Sequence, residues 1–168
     1  ISKLIMEELR NIELSTYPIF SLKGYITDAK LLSNYDGDTA DIILFYKGIP
    51  MHLKARFYGY DCSEMKPSIK DPNRDEKKKK AIEAKKRLWY LCTNQEEDKP
   101  HKTLIKIKCG EFDKYGRVLI TAFKEDFDLN SNINRIKSDE ELFKSSINNQ
   151  MITEGHAYAY FGGTKEDF

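Results

Sequence analysis

Paired cysteines, long apolar runs and a large net charge of either sign are all missing from this chain, and each absence argues against a class of protein. Cys62, Cys92 and Cys109 are odd in number, and no two fall at CxxC spacing. A zinc ribbon, a thioredoxin-type motif or a disulfide framework is therefore not expected. His52, His101 and His156 are equally scattered and form no HExxH, so they read as surface or core residues rather than zinc ligands. No stretch is apolar for long enough to span a bilayer, and no membrane partner is expected. The net charge is +1 although 33% of residues are charged. Any polyanion must then be met by a local site rather than by the whole molecule. Thiols without a disulfide framework lean intracellular. No basic-then-apolar leader is visible, but the chain begins at Ile1, so secretion after removal of a leader stays open.

What is present is 168 residues with 40% hydrophobic content, enough for one domain with a sizeable core. Residues 2–12 place Ile5, Leu9 and Ile12 at helical spacing, and Pro18 ends that pattern. Residues 20–35 read as a strand with a bulge at Gly24. Residues 39–61 read as a hairpin turning around Lys47 to Pro50. Its second arm alternates Met51, Leu53, Ala55 and Phe57 with His52, Lys54, Arg56 and Tyr58. A charged, proline-containing loop then leads into a helix with Ala81, Ala84, Leu88 and Leu91 on one core-facing stripe. The lysines at 77–80 read as its solvated end. Residues 103–110 and 117–124 are two further strands. Ser138 and Glu141 form a capping box in a long polar connection. Asn148 caps a last helix that stops at Gly155. Five short strands with a helix after the third and another after the fifth predict an α+β, mainly β fold. Its architecture is a five-stranded OB-fold-type barrel with flanking helices.

The chemistry concentrates in two acidic clusters, Asp36-Gly37-Asp38-Thr39 and Asp61-Cys62-Ser63-Glu64. A hairpin centred on Gly48 and Ile49 sets Asp38 opposite Gly59 and Asp36 opposite Asp61. Asp38, Asp61 and Glu64 then become neighbours. Crowded carboxylates are costly unless a cation neutralises them, and oxygen-only ligands favour calcium or magnesium over zinc. An EF-hand is excluded, because its loop glycine and terminal glutamate are absent at the required spacing. Asp36-Gly37 alone suits an ordinary turn, so the metal reading rests on the second cluster. Arg56 on the same hairpin offers a planar fork for a phosphate. Arg56 and Asp61 face opposite sides of an ideal strand, so the strand must bend or end near Gly59.

These pieces resemble the staphylococcal nuclease-like (thermonuclease) family. Residues 36–64 look like its Asp-Gly-Asp-Thr strand, hairpin and Asp-Thr-Pro-Glu segment. Asp113–Arg117, "DKYGR", is similar to another family motif, and residues 147–157 to the last shared helix. The resemblance runs from about Ser21 to Gly163. It divides the chain into an N-terminal extension, 1–20, and a nuclease-like OB-type domain, 21–168, with insertions near 65–80 and 124–146. It implies calcium-dependent hydrolysis of phosphodiester bonds in DNA and RNA, magnesium being less suited, by a monomer. Asp38 and Asp61 would bind calcium through carboxylates, and Cys62 through its backbone carbonyl. Glu64 would orient or deprotonate the attacking water. Arg56 and Arg117 would hold the phosphate, and Lys114 and Tyr115 the terminal phosphate. The tail aromatics Tyr158, Tyr160 and Phe161 read equally as stacking partners for bases or as packing on the barrel. Cys62-Ser63 departs from the family's Thr-Pro, and the N-terminal helix is expected to cover the barrel where the family's last helix is missing. Two rival readings are a non-catalytic nucleic-acid- or protein-binding module and a calcium-stabilised structural domain.

Overall fold

Along five segments roughly every second side chain turns inward, and these segments close on one another. The computed structural model describes residues 2–135 and 138–168. The strands are β1 (Ile26–Asn34), β2 (Thr39–Tyr46), β3 (Ile49–Phe57), β5 (Ile105–Phe112) and β6 (Val118–Lys124). They form a closed barrel in the order β1-β2-β3-β6-β5, with β5 returning to β1. The β3–β6 pair is parallel and the others are antiparallel. Ile42, Leu44, Ala55, Phe57, Ile107, Val118 and Ile120 fill the interior and are almost fully buried. This is the expected α+β, mainly β, OB-type barrel. A two-residue strand β4 (Tyr60–Asp61) pairs outside it with β7 (Tyr158–Ala159).

The hairpin turn differs from expectation by one residue. Its two central residues are Lys47 and Gly48, both with positive φ (49° and 77°), so Tyr46 pairs with Ile49 and Thr39 with Arg56. That mirror-image turn matches the strand twist better than one centred on Gly48 and Ile49. Asp38 consequently meets Phe57, whose N–H donates to its carbonyl at 2.8 Å, rather than Gly59. Gly24 is also not a bulge: it lies in the turn ahead of β1, where its N–H donates to the Cys109 carbonyl. The irregularity in β1 falls between Leu31 and Ser33 instead. His101 bonds the Leu31 carbonyl there at 2.7 Å and packs edge-on to Trp89. It is a core histidine.

Helix α2 (Arg74–Thr93) lays Ala81, Ala84, Leu88 and Leu91 on the barrel as its spacing predicts. It starts earlier than expected and takes in the lysine run, whose first member, Lys77, is held by Asp71 at 2.6 Å. Helices α3 (Leu129–Arg135) and α4 (Asp139–Phe143) bury Leu129 and Leu142 against Phe123 in a small second cluster. Ser138 caps α4, accepting from the Glu141 N–H. Helix α5 (Ile147–Thr153) is capped by Ser146, not by Asn148. Asn148 is one residue inside the helix and fully buried, so its amide is used elsewhere.

Helix α1 (Lys3–Arg10) buries none of its residues, and Leu4 and Leu9 are each 69% exposed. It does not cover the barrel. An amphipathic stripe is enough to form the helix but does not determine where it docks. Among the described residues no helix is long and apolar enough to cross a membrane.

Candidate active site

The first acidic cluster is a turn whose three residues have three different tasks. Asp36 Oδ1 accepts the N–H groups of Asp38 (3.0 Å) and Thr39 (2.7 Å), which shapes the turn into β2. Gly37 sits directly against helix α2. A Cβ at this position would lie 2.7 Å from Cys62 Sγ and 2.8 Å from Ala84 Cβ. The Gly37 carbonyl accepts the hydroxyl of Tyr60, which is fully buried. Asp38 is left to project into the site, where Thr39 Oγ1 donates to its Oδ1 at 3.0 Å.

The second cluster reaches Asp38 because β3 ends at Phe57 and the chain reverses. Gly59 has a φ of +88°, and a Cβ there would strike the Phe143 ring at 2.7 Å, so only glycine suits the bend. Arg56, before the bend, and Asp61, after it, then face each other. Arg56 Nη2 donates to Asp61 Oδ1 at 3.1 Å and to the Tyr60 carbonyl at 3.0 Å. Its Nη1 lies 2.8 Å from Asp38 Oδ1 but is not aligned for a hydrogen bond. That buried donor has no hydrogen-bond partner among the described residues, a capacity that suits an anion entering the site.

These groups line a recess of about 230 Å³ that also includes Glu64, Lys66, Arg117 and Lys165. Asp36, Asp38, Asp61 and Glu64 face Arg56, Lys66, Arg117 and Lys165, four carboxylates against four cations. Burial pushes the Asp38 carboxyl up to about 7, opposed by Arg56 and reinforced by Asp36 and by a hydrogen bond with Asp61. Burial acts on Asp61 in the same direction, but hydrogen bonds from Lys165, Asp38 and Tyr158 outweigh it and hold that carboxyl low. Both carboxyls lie against the Arg56 guanidinium, at 2.8 and 3.1 Å, and a second cation there would further offset their repulsion. No three His, Cys, Asp or Glu side chains converge to hold a metal among the described residues. The donors on offer, two carboxylates and main-chain oxygen, suit a hard cation rather than zinc. Burial also raises the Cys62 thiol, and its sulfur faces Gly37 in the core. Only its main chain is left to face the recess.

Arg117 enters from the β5–β6 connection. Asp113 forms the turn by accepting the N–H groups of Tyr115 and Arg117, both at 2.9 Å, and anchors the Arg117 guanidinium at 2.7 Å. Arg117 Nη1 reaches Thr39 Oγ1 at 3.3 Å, so both arginines border the same recess. Glu64 lies at the rim with its side chain exposed. Lys114 and Tyr115 are exposed beside Arg117, which stacks on the Tyr115 ring at 5.2 Å. Tyr158 is buried, and its hydroxyl donates to Asp61 Oδ2 at 3.0 Å. That placement suits a positioning role rather than base stacking. Tyr160 is half-buried, its hydroxyl donating to the Gly163 carbonyl. Phe161 is 62% exposed but lies edge-on to Tyr58 and Phe143, away from the carboxylates.

Sequence reasoning misses Lys165, whose ammonium lies 2.9 Å from Asp61 Oδ2. It also misses Thr39 and Asp113 as orienting groups. A lysine after two glycines near the end of the sequence carries no local signal, since its partner is 104 positions away. Asp113 did carry one, because an aspartate opening a tight turn commonly accepts from the N–H two residues on. No family model matches the chain, and no curated protein matches it.

Proposed function

We propose that the recess is a phosphodiester-hydrolysing site of the staphylococcal nuclease-like kind, acting on DNA and RNA with calcium. One observation supports this most: two buried carboxylates and two arginines, drawn from the β1–β2 turn, β3, β4 and the β5–β6 turn, converge on one small recess. Such convergence brings opposite charges together where an anion with developing charge needs them. Asp38 and Asp61 would hold the cation, with the Cys62 carbonyl contributing. A bound divalent cation would polarise a phosphoryl oxygen. Arg56 and Arg117 would grip the phosphate and offset its growing charge. Glu64, exposed at the rim, would take a proton from water. Thr39, Tyr158 and Asp113 would keep Asp38, Asp61 and Arg117 in place. Lys114 and Tyr115, next to Arg117, would meet a terminal phosphate.

The test is digestion of single-stranded DNA and RNA with calcium, with a chelator, and with Glu64→Gln or Arg56→Ala. Cleavage is expected with calcium alone, and each variant is expected to lose about 10²- to 10³-fold. No cleavage with calcium, or equal cleavage under every condition, would sink the reading. The rival binding module is favoured by the charge balance of the recess, because Arg56 and Lys165 already neutralise Asp61. It predicts salt-sensitive binding of nucleic acid with no response to calcium.

A further inference from the structure

The segment after Gly163 lies along the recess and is fastened there at several points. Lys165 Nζ is 2.9 Å from Asp61 Oδ2, the oxygen that also accepts the Tyr158 hydroxyl. The Glu166 N–H donates to that same hydroxyl at 3.2 Å. Ser63 Oγ donates to the Phe168 carbonyl at 2.6 Å, and the Phe168 ring packs 5.2 Å from that of Tyr158. Lys77 pairs with Asp167, and Lys80 sits 5.3 Å above the Phe168 ring. The backbone at Gly162 and Gly163, both at positive φ, turns the chain back to make these contacts.

Both oxygens of Asp61 are therefore occupied. Arg56 takes Oδ1, and Lys165 with Tyr158 takes Oδ2. A divalent cation bound to Oδ2 at roughly 2.4 Å would put its charge within a few ångströms of the ammonium. Two like charges that close on one oxygen repel strongly in a partly buried site. Arg56 has little freedom to yield, since its side chain is 12% exposed and also bonds the Tyr60 carbonyl. Lys165 is the partner open to solvent, with a side chain 61% exposed.

We propose that Lys165 is an internal rival of the divalent cation. Its ammonium neutralises Asp61 while the ion is absent, and ion binding displaces it together with the strap that carries it. The inference rests on the reading of the recess as a divalent-cation site. It goes further by making ion binding an exchange of one cation for another. The strap then opens as the site fills, which couples occupancy to access for a phosphate.

The experiment is calorimetric titration of the full chain with calcium at fixed ionic strength, for wild type, Lys165→Met, Lys165→Arg and Lys66→Met. Lys66 lines the same recess but is not among the contacts of Asp61. Its variant therefore removes the same charge without the contact. Lys165→Met is expected to bind calcium about tenfold more tightly, Lys165→Arg about as wild type, and Lys66→Met within about threefold of it. Amide hydrogen exchange supplies a second readout: calcium is expected to speed exchange at residues 165–168 of the wild type. Unchanged or weaker binding by Lys165→Met, an equal gain in Lys66→Met, or unchanged exchange would overturn the proposal. Wild-type binding with no gain in Lys165→Met removes the rivalry alone. Absence of calcium binding in every protein removes the cation site along with it.

Discussion

At the residue scale the site turns on Asp38. Burial pushes its carboxyl up to about 7, far above the usual 3.8, despite the pull of Arg56. The sign of the resulting pH dependence follows from proton counting. Between about pH 4 and 7 the folded chain holds a proton on Asp38 that the unfolded chain has released, so this group lowers stability as pH rises through that window. Asp61, held low, acts in the other direction and only at more acidic pH. On the proposed reading, calcium at Asp38 would have to displace the proton, so its stabilisation should grow as the proton leaves. At calcium about a hundredfold above Kd and pH 8, a gain of about 2.7 kcal/mol is expected, equivalent to roughly 5–10 °C for a chain of this size. At pH 5 the rise should be much smaller. Thermal melts at both pH values, with and without calcium, check this, and an equal or larger rise at pH 5 would contradict it. Asp38 itself was legible in the sequence as one of two clustered carboxylates. Its state was not, because burial and the approach of Asp61 depend on the bend at Gly59.

At the scale of elements, the bend after β3 is held by helix α5 through a single residue. Asn148 Oδ1 accepts the Ala122 N–H at 2.9 Å, and its Nδ2 donates to the carbonyls of Tyr58 (2.8 Å) and Ile120 (3.0 Å). One buried amide thus ties α5, β6 and the residue before Gly59 together. The sequence suggests a cap, because asparagine near a helix start usually is one. Ser146 takes that role instead and leaves Asn148 for a tertiary one. Asn148→Ala would take the side-chain partner from the Ala122 N–H and the Tyr58 carbonyl, while the Ile120 carbonyl would keep the Tyr58 N–H at 2.8 Å. The substitution is expected to cost about 2–4 kcal/mol in urea unfolding. The cleavage proposed for the recess should fall along with it, since Arg56 and Asp61 meet across this bend. A loss below about 0.5 kcal/mol would show that the bend holds by other means.

At the scale of the molecule, the barrel and its surroundings differ in how far each depends on the rest. The strands are bound on both sides and share one core. Helix α1 contributes no buried residue to it. Removal of residues 1–12 is therefore expected to change unfolding free energy by no more than about 0.5 kcal/mol and to leave the cleavage proposed for the recess unchanged. Denaturant midpoints of the full and shortened chains measure this. A loss above about 1.5 kcal/mol would mean that α1 packs on the barrel after all.

By itself the sequence determined what is local: the alternation that makes Ala55 and Phe57 face inward, the stripe that lays α2 on the barrel, and two acidic clusters on either side of one hairpin. Alternation and spacing are properties of neighbouring residues, so they survive without knowledge of the fold. Only the tertiary structure decided which oxygens of Asp61 are occupied, that Tyr158 faces a carboxylate rather than a base, and that Lys165 reaches the same group from the far end of the sequence. Those contacts span about a hundred residues. They exist because the barrel closes β5 onto β1, Gly59 turns the chain back, and β7 pairs with β4, and no pattern within any one segment encodes that combination.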